Sequence, residues 1–239
     1  MKKLRREAPV LGKKSRLAAA VAAVGACALL AACSPVKAGA AAIVGNQRIT
    51  QSDLDTQVSN LQADITQYAP TVQVGSGVLP KVVLGQMISW AVRDQTAQDL
   101  GITVSESDIQ QATSYVYQSA VQSGNNFTSE QQFITLQGVP LNLQDEFGRY
   151  YAVELNFLKS KNGGKLPTTE NAAVEKAVSQ FSTAECKAAK QLNIQVNPQY
   201  GQLGFDSSSG FYTVNSGSDT LSAAGGAKPV TVAPYTPAC

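Results

Sequence analysis

The chain has 239 residues, with 19 Lys and Arg against 17 Asp and Glu, 44% hydrophobic residues and no histidine. The missing histidine excludes Ser-His-Asp and Cys-His catalysis and mixed Cys/His zinc sites. No G-x-x-x-x-G-K-[ST] and no glycine-rich dinucleotide loop is present, and GNNFT and NGGK are turn material, so no cofactor or metal is expected.

MKKLRREAPVLGKKSR carries seven bases and one acid, Glu7, and the apolar run Leu17 to Ala32 comes next. Basic, then apolar, then small is the order of a secretory signal. The run is about 16 residues, against roughly 20 for a bilayer span. It ends in LAAC, Leu30 to Cys33, which resembles a bacterial lipobox; that resemblance implies a diacylglycerol on Cys33 and removal of residues 1–32. A plain signal peptide with an incidental cysteine is the alternative. Arg5-Arg6 is not continued as a twin-arginine motif by Glu7-Ala8-Pro9. From Cys33 onward the chain carries 12 bases and 16 acids, net −4, so the small positive balance belongs to the leader and gives no support for nucleic-acid binding.

Residues 33–40 read as a lipidated tether. AAIVG, Ala41 to Gly45, suits a strand, Gly45-Asn46 a turn, and Gln47 to Ile49 a return strand. Thr50 and Asp53 have capping-box spacing, and Leu54, Val58, Leu61 and Ile65 form a helical stripe ended by Pro70 and Gly75-Ser76-Gly77. Pro80 opens a helix over Lys81 to Leu100 that is apolar on more than one face and is expected at the centre of the core. Gly101 stops it, and Ser105 with Asp108 caps a helix carrying Ile109, Ala112, Val116 and Ala120.

Thr128 and Gln131 are expected to cap the next segment, and Asn142 to about Lys159 is a long helix holding Phe147, Tyr150 and Tyr151. KNGGKLPTTE, Lys161 to Glu170, breaks it. Thr169 is expected to cap the last helix, which runs to Leu192, and Ile194 to Val196 is a short strand. From Pro198 the pattern weakens, and 201–239 reads as a Ser/Gly/Pro-rich C-terminal tail. The total is about five helices and one hairpin. Cys186 and Cys239 are the cysteines after Cys33; outside the membrane they form a candidate disulfide, with two free thiols the alternative.

Catalytic chemistry finds no foothold. Asp145-Glu146 and Asp53-Asp55 are adjacent or two apart on helices, so neither pair converges on one atom. Cys186 has Lys187 and Lys190 nearby but no base or oxyanion site. The chain is expected not to be an enzyme.

AAIVGNQRITQSDLD, Ala41 to Asp55, resembles the opening of SurA/PrsA-type extracytoplasmic chaperones. DQTAQDLGITVSESDIQQA, Asp94 to Ala112, resembles their second signature, and AAKQLNIQVNPQYG, Ala188 to Gly201, is similar to the closing element of actinobacterial members. The resemblance implies a mainly α fold over 41–200, with a small N-terminal β-hairpin and a returning C-terminal helix. Foldase members insert a parvulin prolyl-isomerase domain before that helix. Here the slot is KNGGKLPTTE, too short for a domain of about 50 residues or more.

Two functions are expected. One is an ATP-independent holdase, lipid-anchored on the extracytoplasmic face of the cell membrane, that binds unfolded or extended segments of secreted proteins and lacks isomerase activity. Its candidate client contacts are Met87, Trp90, Tyr115, Tyr117, Tyr150 and Tyr151, with core packing the competing reading at each. The tyrosine pairs one or two apart are the better candidates, because both members of such a pair are not expected to face one core. The other function is a lipoprotein adaptor that docks one dedicated envelope partner through its tail.

Overall fold

The structure, a computed structural model, describes residues 38–75, 77–167, 171–206 and 211–215. Strands β1 (Ala40–Val44) and β2 (Gln47–Thr50) pair antiparallel around a turn in which Gly45 takes φ +60°. Thr50 ends the hairpin and caps α1 (Gln51–Tyr68): its hydroxyl oxygen accepts from the Asp53 N–H at 3.0 Å. Helix α1 buries Leu54, Leu61 and Ile65 of the stripe that the apolar spacing predicts and half-buries its fourth member, Val58.

Helix α2 (Val78–Leu100) contributes to all three apolar clusters. Leu79, Val83, Leu84, Ile88 and Val92 pack with β1 and α1, Trp90 joins an aromatic cluster, and Ala97 joins a third cluster near the helix end. This placement fits a helix that is apolar on more than one face. Gly101, at φ +65°, closes it, and the Ile102 N–H reaches back to Ala97 O at 2.8 Å. Ser105 and Asp108 form a reciprocal capping box at the start of α3 (Glu106–Gln122).

The next cap stands one residue later than its expected place. Ser129, not Thr128, accepts from the N3 amide, that of Gln132, and opens α4 (Glu130–Leu136). The Thr128 N–H instead donates to Gln132 Oε1 at 2.7 Å, so the outer residue is held by the side chain that Ser129 positions. A single 3-10 turn, Leu141–Leu143, leads into α5 (Gln144–Lys161). Thr169 lies outside the described residues. The cap of α6 (Ala172–Leu192) is Asn171, whose Oδ1 accepts from the Ala173 and Val174 amides. Among the described residues there are six α-helices, one more than expected.

Ten residues separate α5 from α6, and α6 packs directly against α2 and α5. The helix end is then stitched to the opening hairpin. Gly45 N–H donates to Leu192 O at 2.6 Å, β3 (Gln195–Val196) pairs antiparallel with β1, and the Asn197 side-chain amide donates to Ala40 O at 3.0 Å. The order of this sheet is β2-β1-β3.

The expectation of an unpatterned tail from 201 is corrected for its first part. Strands β4 (Gln202–Asp206) and β5 (Phe211–Asn215) form a second antiparallel hairpin, and Phe211, Tyr212 and Val214 are buried against α2. Each strand is only five residues long, and the Ser207-Ser208-Ser209-Gly210 run between them dilutes the apolar pattern in any sequence window. No helix among the described residues is long and apolar enough to cross a membrane.

Candidate functional site

Helix α2 carries a polar stripe through the core. Gln86, Ser89, Arg93 and Thr96 recur at spacings of three, four and three, and all four are buried. Those spacings place them on one helix face. Each is used. Gln86 Nε2 donates to Gln137 O at 3.0 Å, which holds the end of α4. Ser89 Oγ donates to Gly85 O at 2.8 Å and accepts the Tyr212 N–H of β5 at 2.8 Å. Thr96 Oγ1 donates back to Val92 O.

Arg93 binds the two later helices. Its Nη1 lies 3.1 Å from Glu154 Oε2 of α5, and its Nε lies 2.8 Å from Glu185 Oε1 of α6. The Nε contact sits off the N–H axis, so it is an ion pair rather than a linear hydrogen bond. The guanidinium also lies 3.8 Å over the Tyr150 ring and 4.8 Å from the Phe181 ring. One cation thus faces two carboxylates in a site almost closed to water. Burial, the largest influence, holds the Glu185 carboxyl above its ordinary value; Arg93 pulls it down and Glu154 pushes it up. Burial likewise raises the Tyr150 and Tyr151 phenols, and it pushes the Tyr212 phenol up to about 12.

Beside this stripe runs a chain of aromatic rings. Tyr117 packs on Phe133 at 5.8 Å, Phe133 on Phe147 at 5.9 Å, Phe147 on Tyr151 at 5.0 Å, and Tyr151 on Tyr150 at 5.2 Å. Phe211 of β5 completes it, stacked on Tyr150 at 4.6 Å and edge-on to Tyr151 at 6.3 Å.

The six candidate client contacts separate by position. Trp90 and Tyr150 are buried, at 7% and 4% exposure, and offer no surface in this conformation. Met87, Tyr117 and Tyr151 are half-buried at the edge of the aromatic cluster. Tyr115 alone of the six is exposed, at 42%. Tyr115 and Tyr117 thus divide between solvent and core, as residues two apart on a helix should. Tyr150 and Tyr151 do not divide in this way, because Phe211 supplies a ring that both can meet. Cys186 is buried on α6, whereas Cys33 and Cys239 lie outside the described residues.

Arg93, Glu154, Glu185 and Ser89 are absent from the sequence-based candidates. A signal exists for the two on α2, Ser89 and Arg93: a polar residue every third or fourth position inside the most apolar helix marks a face that must find partners.

A sequence profile for a SurA-like N-terminal domain matches residues 2–138. The chain belongs to the SurA-like N-terminal domain family. No curated protein and no solved structure gives a significant match. The matched part ends with α4, so α5, α6 and the later strands lie beyond it. Those elements nevertheless supply Glu154, Glu185, Tyr150 and Phe211, the partners of α2. The SurA-like segment and these later elements therefore share one core.

Proposed function

We propose that the mature chain is an ATP-independent holdase for secreted or envelope proteins, lipid-anchored through Cys33 on the extracytoplasmic face of the cell membrane and without prolyl-isomerase activity. Membership of the SurA-like family, with its likeness to extracytoplasmic chaperones, is the observation that carries this reading. The direct return of α6 onto α2 supports the chaperone-body part of it, since ten residues stand where foldases place an isomerase domain. The half-buried Met87, Tyr117 and Tyr151 and the exposed Tyr115 supply apolar and aromatic contact area of the kind extended clients need.

The test is light scattering of a chemically denatured client diluted into buffer without ATP. A several-fold excess of the mature protein should suppress aggregation of unrelated clients. No effect on any client, with capture of one folded partner in fixed ratio instead, would replace the holdase by an adaptor. Mass spectrometry of the mature N-terminus tests the address: a lipid-modified Cys33 is expected, and an intact leader would remove the anchor from the account.

A further inference from the structure

We propose that the Gly85–Ser89 notch of α2 is the seat for an extended, apolar segment of a client chain, and that the β4–β5 hairpin occupies this seat in the resting protein. This rests on the holdase reading and names its site. Gly85 and Ser89 stand one turn apart on the stripe side of α2, where the helix surface shrinks to backbone and one hydroxyl. Strand β5 lies across them. The Tyr212 N–H donates to Ser89 Oγ at 2.8 Å, and the Tyr212 carbonyl oxygen sits so close to Gly85 that a Cβ there would overlap it. The edge of β5 facing α2 is therefore recognised through its main chain. Any extended segment presents the same N–H and C=O, so this part of the seat reads backbone and not sequence.

Specificity for apolar segments comes from the flanks. Phe211 goes into the aromatic cluster against Tyr150 and Tyr151. Tyr212 and Val214 go into the opposite cluster with Leu84 and Ile88. Met87 borders both, and its unbranched side chain adapts to different shapes. Successive strand side chains point to opposite faces, so an incoming strand with apolar residues at adjacent positions, as at Phe211 and Tyr212, would fill pockets on both sides of the notch.

The hairpin has the character of an exchangeable occupant. It is a sheet of two strands with order β4-β5, separate from the sheet that closes the fold, and it lies beyond the family match. Two-stranded hairpins of this length are marginal alone and depend on the surface they pack against. A client must displace it, so the resting affinity is the intrinsic affinity scaled by the open fraction.

The experiment uses the mature chain and a fluorescein-labelled peptide with the sequence of residues 210–216, GFYTVNS, read by anisotropy. The double variant Phe211→Ser/Val214→Ser weakens the occupant and leaves the seat intact, and it should bind the peptide at least about tenfold more tightly than the parent. Adding Gly85→Val fills the notch and should return binding to the parent level or below. A folded double variant that binds no better, or that is indifferent to Gly85→Val, overturns the proposal. Amide exchange on the unmodified chain decides the matter if the double variant does not fold. Excess peptide should strip protection from residues 203–206 and 211–214 and leave β1 and β2 protected; unchanged exchange also overturns it. Client aggregation separates the two levels: suppression by the parent with no effect of these variants sinks the seat alone, and no suppression by parent or variant sinks the holdase reading.

Discussion

Arg93 on α2 and Glu185 on α6 meet at 2.8 Å with both side chains 3% exposed, and this ion pair ties the returning helix to α2. Removing one partner of a buried pair leaves the other without compensation, at a cost of about 3–5 kcal/mol. Arg93→Met leaves both Glu185 and Glu154 without their cation, so urea unfolding should show a loss of that size. Arg93→Met/Glu185→Leu should recover much of it, because apolar residues of similar volume replace a buried pair at little cost. A double variant no more stable than the single would remove the ion pair from the explanation.

The same cluster sets a pH dependence. Burial holds the Glu185 carboxyl above its ordinary value of 4.5, with Arg93 opposing and Glu154 reinforcing the shift. The native state then keeps a proton that the unfolded chain releases. The associated stability is whole below about pH 4.5 and is lost as pH rises through the higher folded value. Asp94, also raised by burial, adds the same sign. Asp108 works oppositely: hydrogen bonds from Ser105 hold it below its ordinary 3.8, so its contribution is lost as pH falls through the lower folded value. Denaturant midpoints measured from pH 3 to 8 should show a decline above pH 4.5 that Glu185→Gln reduces, and an acid limb that only Ser105→Ala reduces.

Local signals were legible where chemistry and spacing coincide. Thr50 with Asp53, Ser105 with Asp108, and Gly101 each mark a boundary because each satisfies orphan backbone groups within three or four residues. Ser129 and Asn171 show the limit. Both have a threonine one or two residues upstream that satisfies the same rule on paper, and only the entry geometry of the chain selects between them. The β4–β5 hairpin and the Arg93 cluster were not legible for a different reason. Phe211 meets Tyr150, Tyr212 meets Ser89, and Arg93 meets Glu185 across long separations in the chain. Nothing in a local window records such meetings. The polar stripe 86-89-93-96 was visible in the sequence, but its partners were not.

Gly148 on α5 faces α3 at a close crossing. A Cβ there would overlap Thr113 Oγ1 and stand 2.8 Å from Ile109 Cγ2 and 2.9 Å from Ile109 O. A backbone oxygen cannot swing away, so Gly148→Ala should force the helices apart. Overpacking of this kind costs roughly 1–3 kcal/mol, partly offset by the better helix propensity of alanine, about 1 kcal/mol. Thermal unfolding should show a lowered Tm. Adding Thr113→Ala removes one of the clashing atoms and should recover part of the loss, with the Ile109 carbonyl keeping the rest.

Cys186 stands directly after Glu185 and is buried on the helix that closes the fold. A bridge from there to Cys239 would tie the C-terminus to α6 and restrict the unfolded chain over a loop of about 50 residues, worth roughly 3–4 kcal/mol. Alkylation of the unreduced, denatured mature protein should then modify neither residue, and both should react after reduction. Reduction should also lower the unfolding midpoint, and Cys239→Ser should lower it by the same amount with no further effect of reductant. Labelling of both thiols without reduction would show that α6 is held by Arg93, the β1–β3 pairing and apolar packing alone.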